Sequence, residues 1–205
     1  MTKIKICGLI RIEDIKYVNE LLPDYAGFVF AKSTRQVTLR EAKKLISLLD
    51  KNIKTVGVFQ DEKIEDIKYY TEYLELDVIQ LHGSEDDKYI RKLNNLKVWK
   101  AVSIDIKTLC PDESIEYDGV DGILLDSSAN GIKGGTGLCF DWDVIRNLNL
   151  RKKLILAGGL NPENVQDAIY GVKPYAVDVS SGVEKNGLKD YEKIKNFIEK
   201  VRKII

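Results

Sequence analysis

Eight short apolar runs recur along the chain at intervals of roughly 25 residues, separated mostly by longer charged stretches with helical spacing. The runs are KIKIC (3–7), YAGFVF (25–30), KTVGVF (54–59), DVIQLH (77–82), KVWKAV (97–102), GILLDS (122–127), KLILAG (153–158) and YAVDVS (175–180). They are β-branched or aromatic, and most end on Gly, Ser, Asp or Gln, which suits strands buried on both faces of a parallel sheet. An eightfold β/α alternation predicts one closed (β/α)8 barrel over residues 1–205, a single domain with small loops. A doubly wound open sheet shows the same alternation with about five to seven strands, so the count favours the barrel. No Pro/Ser-rich linker divides the chain.

The intervening stretches carry helix signals. RIEDIKYVNELL places Ile12, Ile15, Val18, Leu21 and Leu22 on one face. TLREAKKLISLLD opens with Thr38 and has Glu41 three residues later, a capping box. NPENVQDAIYG has an Asn cap, Pro162 at the first helical position and Gly171 at the end. The last helix, in LKDYEKIKNFIEKVRKII, is expected to bury Tyr191, Ile194, Phe197, Ile198 and Val201; packing on the barrel accounts for this face without a partner chain. The segment from Asp105 to Tyr117 is the least regular.

Composition narrows the function. Lys+Arg and Asp+Glu are 32 each, a net charge of zero, which leaves no footprint for nucleic acid or an anionic membrane. The apolar runs fall far short of the roughly 20 residues that span a bilayer, and MTKIKICG lacks the apolar core of a secretory signal. Cys7, Cys110 and Cys139 are widely separated, and His82 is the single histidine, so neither a disulfide framework nor a zinc site is expected. A soluble cytoplasmic protein with a small-molecule partner is the expectation.

Barrel enzymes place their chemistry at the C-terminal ends of the strands. Here those ends carry Cys7-Gly8, the AKSTRQVT loop, Gln60-Asp61, Gln80 with His82-Gly83, Ser103, Asp126-Ser127-Ser128, Gly158-Gly159, and Asp178 with Ser180-Ser181-Gly182. Small residues after strands seven and eight let backbone N–H groups approach an anion, and the last two loops of a barrel are a frequent phosphate site. Either motif alone is an ordinary tight turn; adjacent, Gly158, Gly159, Ser180, Ser181 and Gly182 point to a phosphorylated ligand. The GIKGGTG loop (131–137) adds close backbone approach beside them.

Strand cysteines are usually inert small hydrophobes. Lys5, however, shares the side-chain parity of Cys7, so both should face the barrel interior, where an ammonium would favour thiolate over its unperturbed value of about 8.5. Asp126 has the parity of Leu124 and Gly122, and burial among apolar neighbours would raise its pKa, as a proton donor needs. The plainer role is a helix cap or a lysine partner. Arg35 can hold a carboxylate bidentately or stand as a solvated loop charge. His82 and Asp178 read equally well as structural hydrogen-bonding groups and as site residues.

At these residues a family pattern emerges. KICGL, KSTRQV, VGVF, VIQLHG, LLDS with a later GGTG, LAGGLNPENV and DVSSGVE resemble the phosphoribosylanthranilate isomerases, in family order from residue 3 to the final helix. The resemblance implies a (β/α)8 barrel of tryptophan biosynthesis that converts N-(5'-phosphoribosyl)anthranilate to 1-(2-carboxyphenylamino)-1-deoxyribulose 5-phosphate, with neither metal nor organic cofactor. It implies Cys7 as general base, Asp126 as general acid and Arg35 as holder of the anthranilate carboxylate, with His82 and Asp178 at the site and the glycine and serine turns cradling phosphate. STRQV departs from the commoner S-P-R-Y/F-V, losing a proline and an aromatic beside Arg35. Two rivals are the related isomerase of histidine biosynthesis, which resembles a two-aspartate pair, and a non-catalytic barrel that keeps the phosphate cradle.

Overall fold

The computed structural model describes residues 1–103, 117–126, 145, 150–204. Every one of the eight apolar runs is a strand: β1 Lys3–Cys7, β2 Tyr25–Val29, β3 Lys54–Phe59, β4 Val78–Leu81, β5 Val98–Ser103, β6 Gly122–Asp126, β7 Lys153–Ala157 and β8 Ala176–Val179. They pair in parallel in sequence order, and β8 pairs back onto β1, closing a barrel. Helices α1 Ile12–Leu21, α2 Leu39–Ile46, α3 Ile64–Leu74, α4 Asp87–Ile90, α5 Val165–Val172 and α6 Tyr191–Arg202 follow β1, β2, β3, β4, β7 and β8. Serines 127 and 128, the GIKGGTG loop, Cys110, Cys139 and most of the irregular 105–117 segment lie outside the described residues.

The alternation of side chains makes two separate cores. One fills the space between strands and helices, with Ile4, Ile6, Phe28, Ile79, Leu81, Ile123, Leu125 and Leu156 pointing out against the helix faces. The other lies inside the barrel and contains Tyr25, Val56, Val78, Trp99, Leu124, Ile155 and Ala176. Burial of both faces is why the strands are near-continuous apolar runs.

Each helix start has its own chemistry. Thr38 and Glu41 form the expected capping box of α2. At α1 the buried Asp14 carboxylate accepts from the backbone N–H of Ile10 and Arg11, both at 3.0 Å. Asn161 caps as its residue type suggests, accepting from the N–H of Glu163 and Asn164, yet the regular helix begins at Val165 instead of Pro162. A second cap causes the delay, because the Asn164 side chain folds back onto Asn161 N–H and Gly159 O. Leu22 does not join the buried face of α1: it is the C-cap, left-handed at φ 49°, and exposed. Ile12, Leu21 and Tyr191 are half-buried, the last packing edge-on against Tyr17.

An aspartate clip repeats around the N-terminal mouth. Asp24, Asp77 and Asp121 stand just before β2, β4 and β6. Each carboxylate accepts the N–H of a residue near the start of the preceding strand, at Ile4 (2.9 Å), Thr55 (2.8 Å) and Val98 (3.0 Å). The clips satisfy strand-end donors at the end of the barrel opposite the C-terminal mouth. Asp77→Ala should leave the Thr55 N–H unpartnered, lower stability by about 1 kcal/mol in urea unfolding, and keep turnover within about twofold. An unchanged urea midpoint would deny the clip its role.

Candidate active site

The C-terminal mouth holds a cavity of about 340 Å³ whose wall includes Cys7, Arg35, Gln80, His82, Asp126 and Asp178, together with Gly158, Gly159, Ser180 and Ser181. Nine of the ten residues expected at the site thus share one cavity. The tenth, Gly182, joins the two small-residue turns from behind. A Cβ there would collide with the Leu160 carbonyl, so only glycine lets the turn after β8 lie this close to the turn after β7. Gly158 and Gly159 have φ of 87° and 65°, a conformation that L side chains resist.

Cys7 ends β1 and is buried. Its thiol fits because the in-register neighbour on β2 is Gly27, where a Cβ would lie 2.8 Å from Sγ. Gly8, at φ 77°, turns the chain away and leaves its Cβ space to the Arg35 side chain, which crosses over it. Below Cys7, Lys5 is fully buried and donates to Asp178 Oδ2 at 2.7 Å. Burial would strip the Lys5 proton, but the Asp178 carboxylate and Cys7 outweigh it and hold the ammonium.

The thiolate expected from Lys5 does not form at rest. Burial pushes the Cys7 thiol above its ordinary value, and Asp178 adds to that push; Lys5 and Lys189 offset only part of it. Burial is the largest of these effects and outweighs the Lys5 field, so the resting group is a thiol.

Asp126 ends β6, three strands from β1 around the barrel, and is only partly buried. His82 Nε2 lies 3.4 Å from Asp126 Oδ2, and Gln80 Nε2 lies 3.2 Å from His82 Nδ1. The Gln80 amide meets the ring at Nδ1, which leaves Nε2 to face the carboxylate. Gln80, counted among the strand-end residues but given no role there, thus lines the cavity beside His82. Its Oε1 and the Oδ1 of Asp178 are buried and have no hydrogen-bond partner among the described residues, two acceptors at the cavity wall.

Loops hold these groups from outside. Glu85, buried on β4's loop, accepts from the N–H of Asp61 and Gly83 and from Lys100 Nζ, while Lys100 also donates to the Gly83 carbonyl at 2.6 Å. That network fixes the segment carrying His82. Ser180 Oγ donates to the Cys7 carbonyl at 3.1 Å, which ties the turn after β8 to the end of β1. Arg35 makes a bidentate pair with Glu184, with Nε to Oε1 and Nη2 to Oε2 both 2.7 Å. The STRQV loop is also tied by Gln36 Nε2 to the Phe30 carbonyl and Val37 N–H to the Val29 carbonyl, which supplies stiffness without a proline.

A closed parallel barrel with small-residue turns after β7 and β8 and a cavity lined by both turns, a cysteine and an aspartate is of the phosphate-binding class of (β/α)8 proteins. The chain belongs to the N-(5'-phosphoribosyl)anthranilate (PRA) isomerase family, whose profile it matches over residues 4–200. It is 53% identical over 206 residues to the N-(5'-phosphoribosyl)anthranilate isomerase of Clostridium kluyveri, with 100% of each chain covered. The crystal structure of phosphoribosylanthranilate isomerase from Thermotoga maritima superposes with a TM-score of 0.83 at 37% identity, covering 98% of this chain and 99% of that one. Another similar structure is a phosphoribosylanthranilate isomerase in complex with reduced 1-(o-carboxyphenylamino)-1-deoxyribulose 5-phosphate, with a TM-score of 0.79, 35% identity and 98% and 99% coverage. The histidine-pathway rival is not favoured.

Cys7 alkylation by iodoacetamide, followed by peptide mass spectrometry, should titrate above the free-thiol value of about 8.5. Lys5→Met should move the midpoint higher still. A midpoint below the free value would contradict the balance of burial and charge at sulfur.

Proposed function

We propose that the chain converts N-(5'-phosphoribosyl)anthranilate to 1-(2-carboxyphenylamino)-1-deoxyribulose 5-phosphate, an aldose-to-ketose isomerisation of tryptophan biosynthesis. Cys7 and Asp126, from strands three apart, face one cavity that both phosphate-type turns also line, and that observation carries the reading. The whole barrel acts as one domain, in the cytoplasm, on a small phosphorylated molecule and not on nucleic acid or membrane. Among the described residues no helix is long and apolar enough to cross a bilayer.

The chemistry needs an acid on one side of the sugar and a base on the other. Asp126 gives its proton to the furanose ring oxygen as the C1'–O bond breaks, leaving an iminium conjugated with the aryl amine. His82 Nε2–H then faces the new Asp126 carboxylate and stabilises it. Cys7 takes the proton from C2', and the electron pair closes an enolamine; tautomerisation moves a proton onto C1' and leaves the ketone at C2'. The Lys5 ammonium steadies the thiolate at the moment it is needed. Because the resting group is a thiol, its proton must first pass to solvent at the cavity mouth, and that deprotonation belongs to the barrier.

Binding energy comes from the two ends of the substrate. Backbone amides of the turns after β7 and β8 receive the phosphate, since the Ser180 hydroxyl is committed to the Cys7 carbonyl. Arg35 receives the anthranilate carboxylate. The buried acceptors Gln80 Oε1 and Asp178 Oδ1 suit sugar hydroxyls. Acid and base each contribute typically about 10²–10⁴-fold, and anchoring at two ends adds positioning.

Cys7→Ser and Asp126→Asn should each lose at least about a hundredfold in turnover while keeping the fold by circular dichroism. Activity retained in either variant removes that residue from its role. Arg35→Ala should weaken anthranilate binding and leave inorganic phosphate binding unchanged; equal loss of both ligands would refute the carboxylate clamp.

A further inference from the structure

The hairpin after β8 carries charges that take no direct part in the proton transfers. Strands β9 Glu184–Lys185 and β10 Leu188–Lys189 pair antiparallel through Asn186 and Gly187, whose φ values of 53° and 78° form a two-residue turn of primed type. The turn brings Lys189 opposite Glu184 in register, with Nζ 2.6 Å from Oε1. Lys189 Nζ also donates to the Ser180 carbonyl at 3.0 Å. Arg11 Nη2 grips the Lys189 carbonyl and Lys193 Nζ grips that of Glu184, so the hairpin is fastened to α1's entry and to α6.

Both Glu184 and Lys189 are almost wholly buried, whereas the Arg35 side chain remains 29% exposed to the cavity. Burial would raise the Glu184 carboxyl, but hydrogen bonds from Arg35 and Lys189 outweigh it and keep it ionised. Two cations and one anion leave one net positive charge. A guanidinium has five N–H donors, and Glu184 takes one from Nε and one from Nη2. The remaining parallel pair, one N–H each from Nη1 and Nη2, is the distal edge.

We infer that Glu184, backed by Lys189, is a positioning residue that holds the Nε edge of Arg35 and presents its distal edge to the substrate carboxylate. The inference deepens the proposed isomerase reading and rests on Arg35 as the carboxylate holder. Glu184 is not a competitor for Arg35, because the two carboxylates use different edges of one guanidinium. Lys189 supplies the charge that keeps the cluster attractive to an anion after Glu184 has neutralised one cation.

Glu184→Gln separates position from charge, since the two effects have opposite signs. Removing a negative charge beside Arg35 should tighten carboxylate binding if field alone matters; loss of the bidentate grip should weaken it. We expect KM for N-(5'-phosphoribosyl)anthranilate and the inhibition constant of anthranilate to rise about tenfold. The turnover number should change by less than about threefold, with inhibition by inorganic phosphate unaltered. In an Arg35→Ala background, Glu184→Gln should add nothing. The double variant Glu184→Gln/Lys189→Met keeps the net charge and avoids stranding a buried ammonium, and it should show the same carboxylate-specific loss. Tighter anthranilate binding, equal loss of phosphate binding, or an effect persisting without Arg35 would overturn the assignment. If Arg35→Ala alone leaves anthranilate binding intact, the carboxylate clamp fails first, and that failure is read without Glu184.

Discussion

The ion pair of Lys5 and Asp178 joins the first strand of the barrel to the last. The two residues pair in register across the β1–β8 seam, and their side chains meet at 2.7 Å inside the barrel, out of solvent. Neither charge is tolerable there alone. Removing one partner of a buried pair costs about 3–5 kcal/mol, because the survivor keeps its desolvation penalty. Closure of the barrel is therefore coupled to the chemistry above it: the same ammonium that neutralises Asp178 is the cation beneath Cys7, and the same carboxylate limits its pull on sulfur. Burial of the sulfur, with Asp178 adding to it, outweighs that ammonium and leaves Cys7 a thiol at rest.

Above the pair, the mouth is built from groups that need partners; below it, Val56, Trp99, Leu124 and Ile155 need only packing. Polar support reaches the mouth from outside the barrel wall, through Lys100 and Glu85 on one side and the Glu184–Lys189 hairpin on the other. At the opposite mouth the aspartate clips bond strand-end N–H groups and touch none of the residues of the candidate site. Stability and catalysis are thus carried by different ends of the same strands, a division that (β/α)8 proteins share.

The strands were legible because burial on both faces writes itself as apolar runs, and all eight appear where those runs lie. Side-chain parity pointed Cys7 and Asp126 into the barrel, and both line one cavity, since alternation is fixed by the pleat once a strand is located. Charge balance was not legible. Lys5 beside Cys7 suggested a thiolate, but the countercharge comes from Asp178, more than 170 residues away in sequence. Glu184 and Lys189 likewise gain meaning only when the chain brings Arg35 beside them, although the Asn-Gly pair between them was a readable hairpin signal. Gln80 stood among the strand-end residues without a role, and its apolar neighbours Ile79 and Leu81 point the other way. The repeated aspartate before β2, β4 and β6 was also visible in sequence, yet its clip role depends on the preceding strand.

The most direct measurement is the fate of N-(5'-phosphoribosyl)anthranilate with the purified protein, followed by anthranilate-type fluorescence and chromatography of the product. Catalytic amounts of protein should consume many equivalents and yield 1-(2-carboxyphenylamino)-1-deoxyribulose 5-phosphate. Saturable binding with no conversion would mean that the thiol and the carboxyl face each other without doing this chemistry.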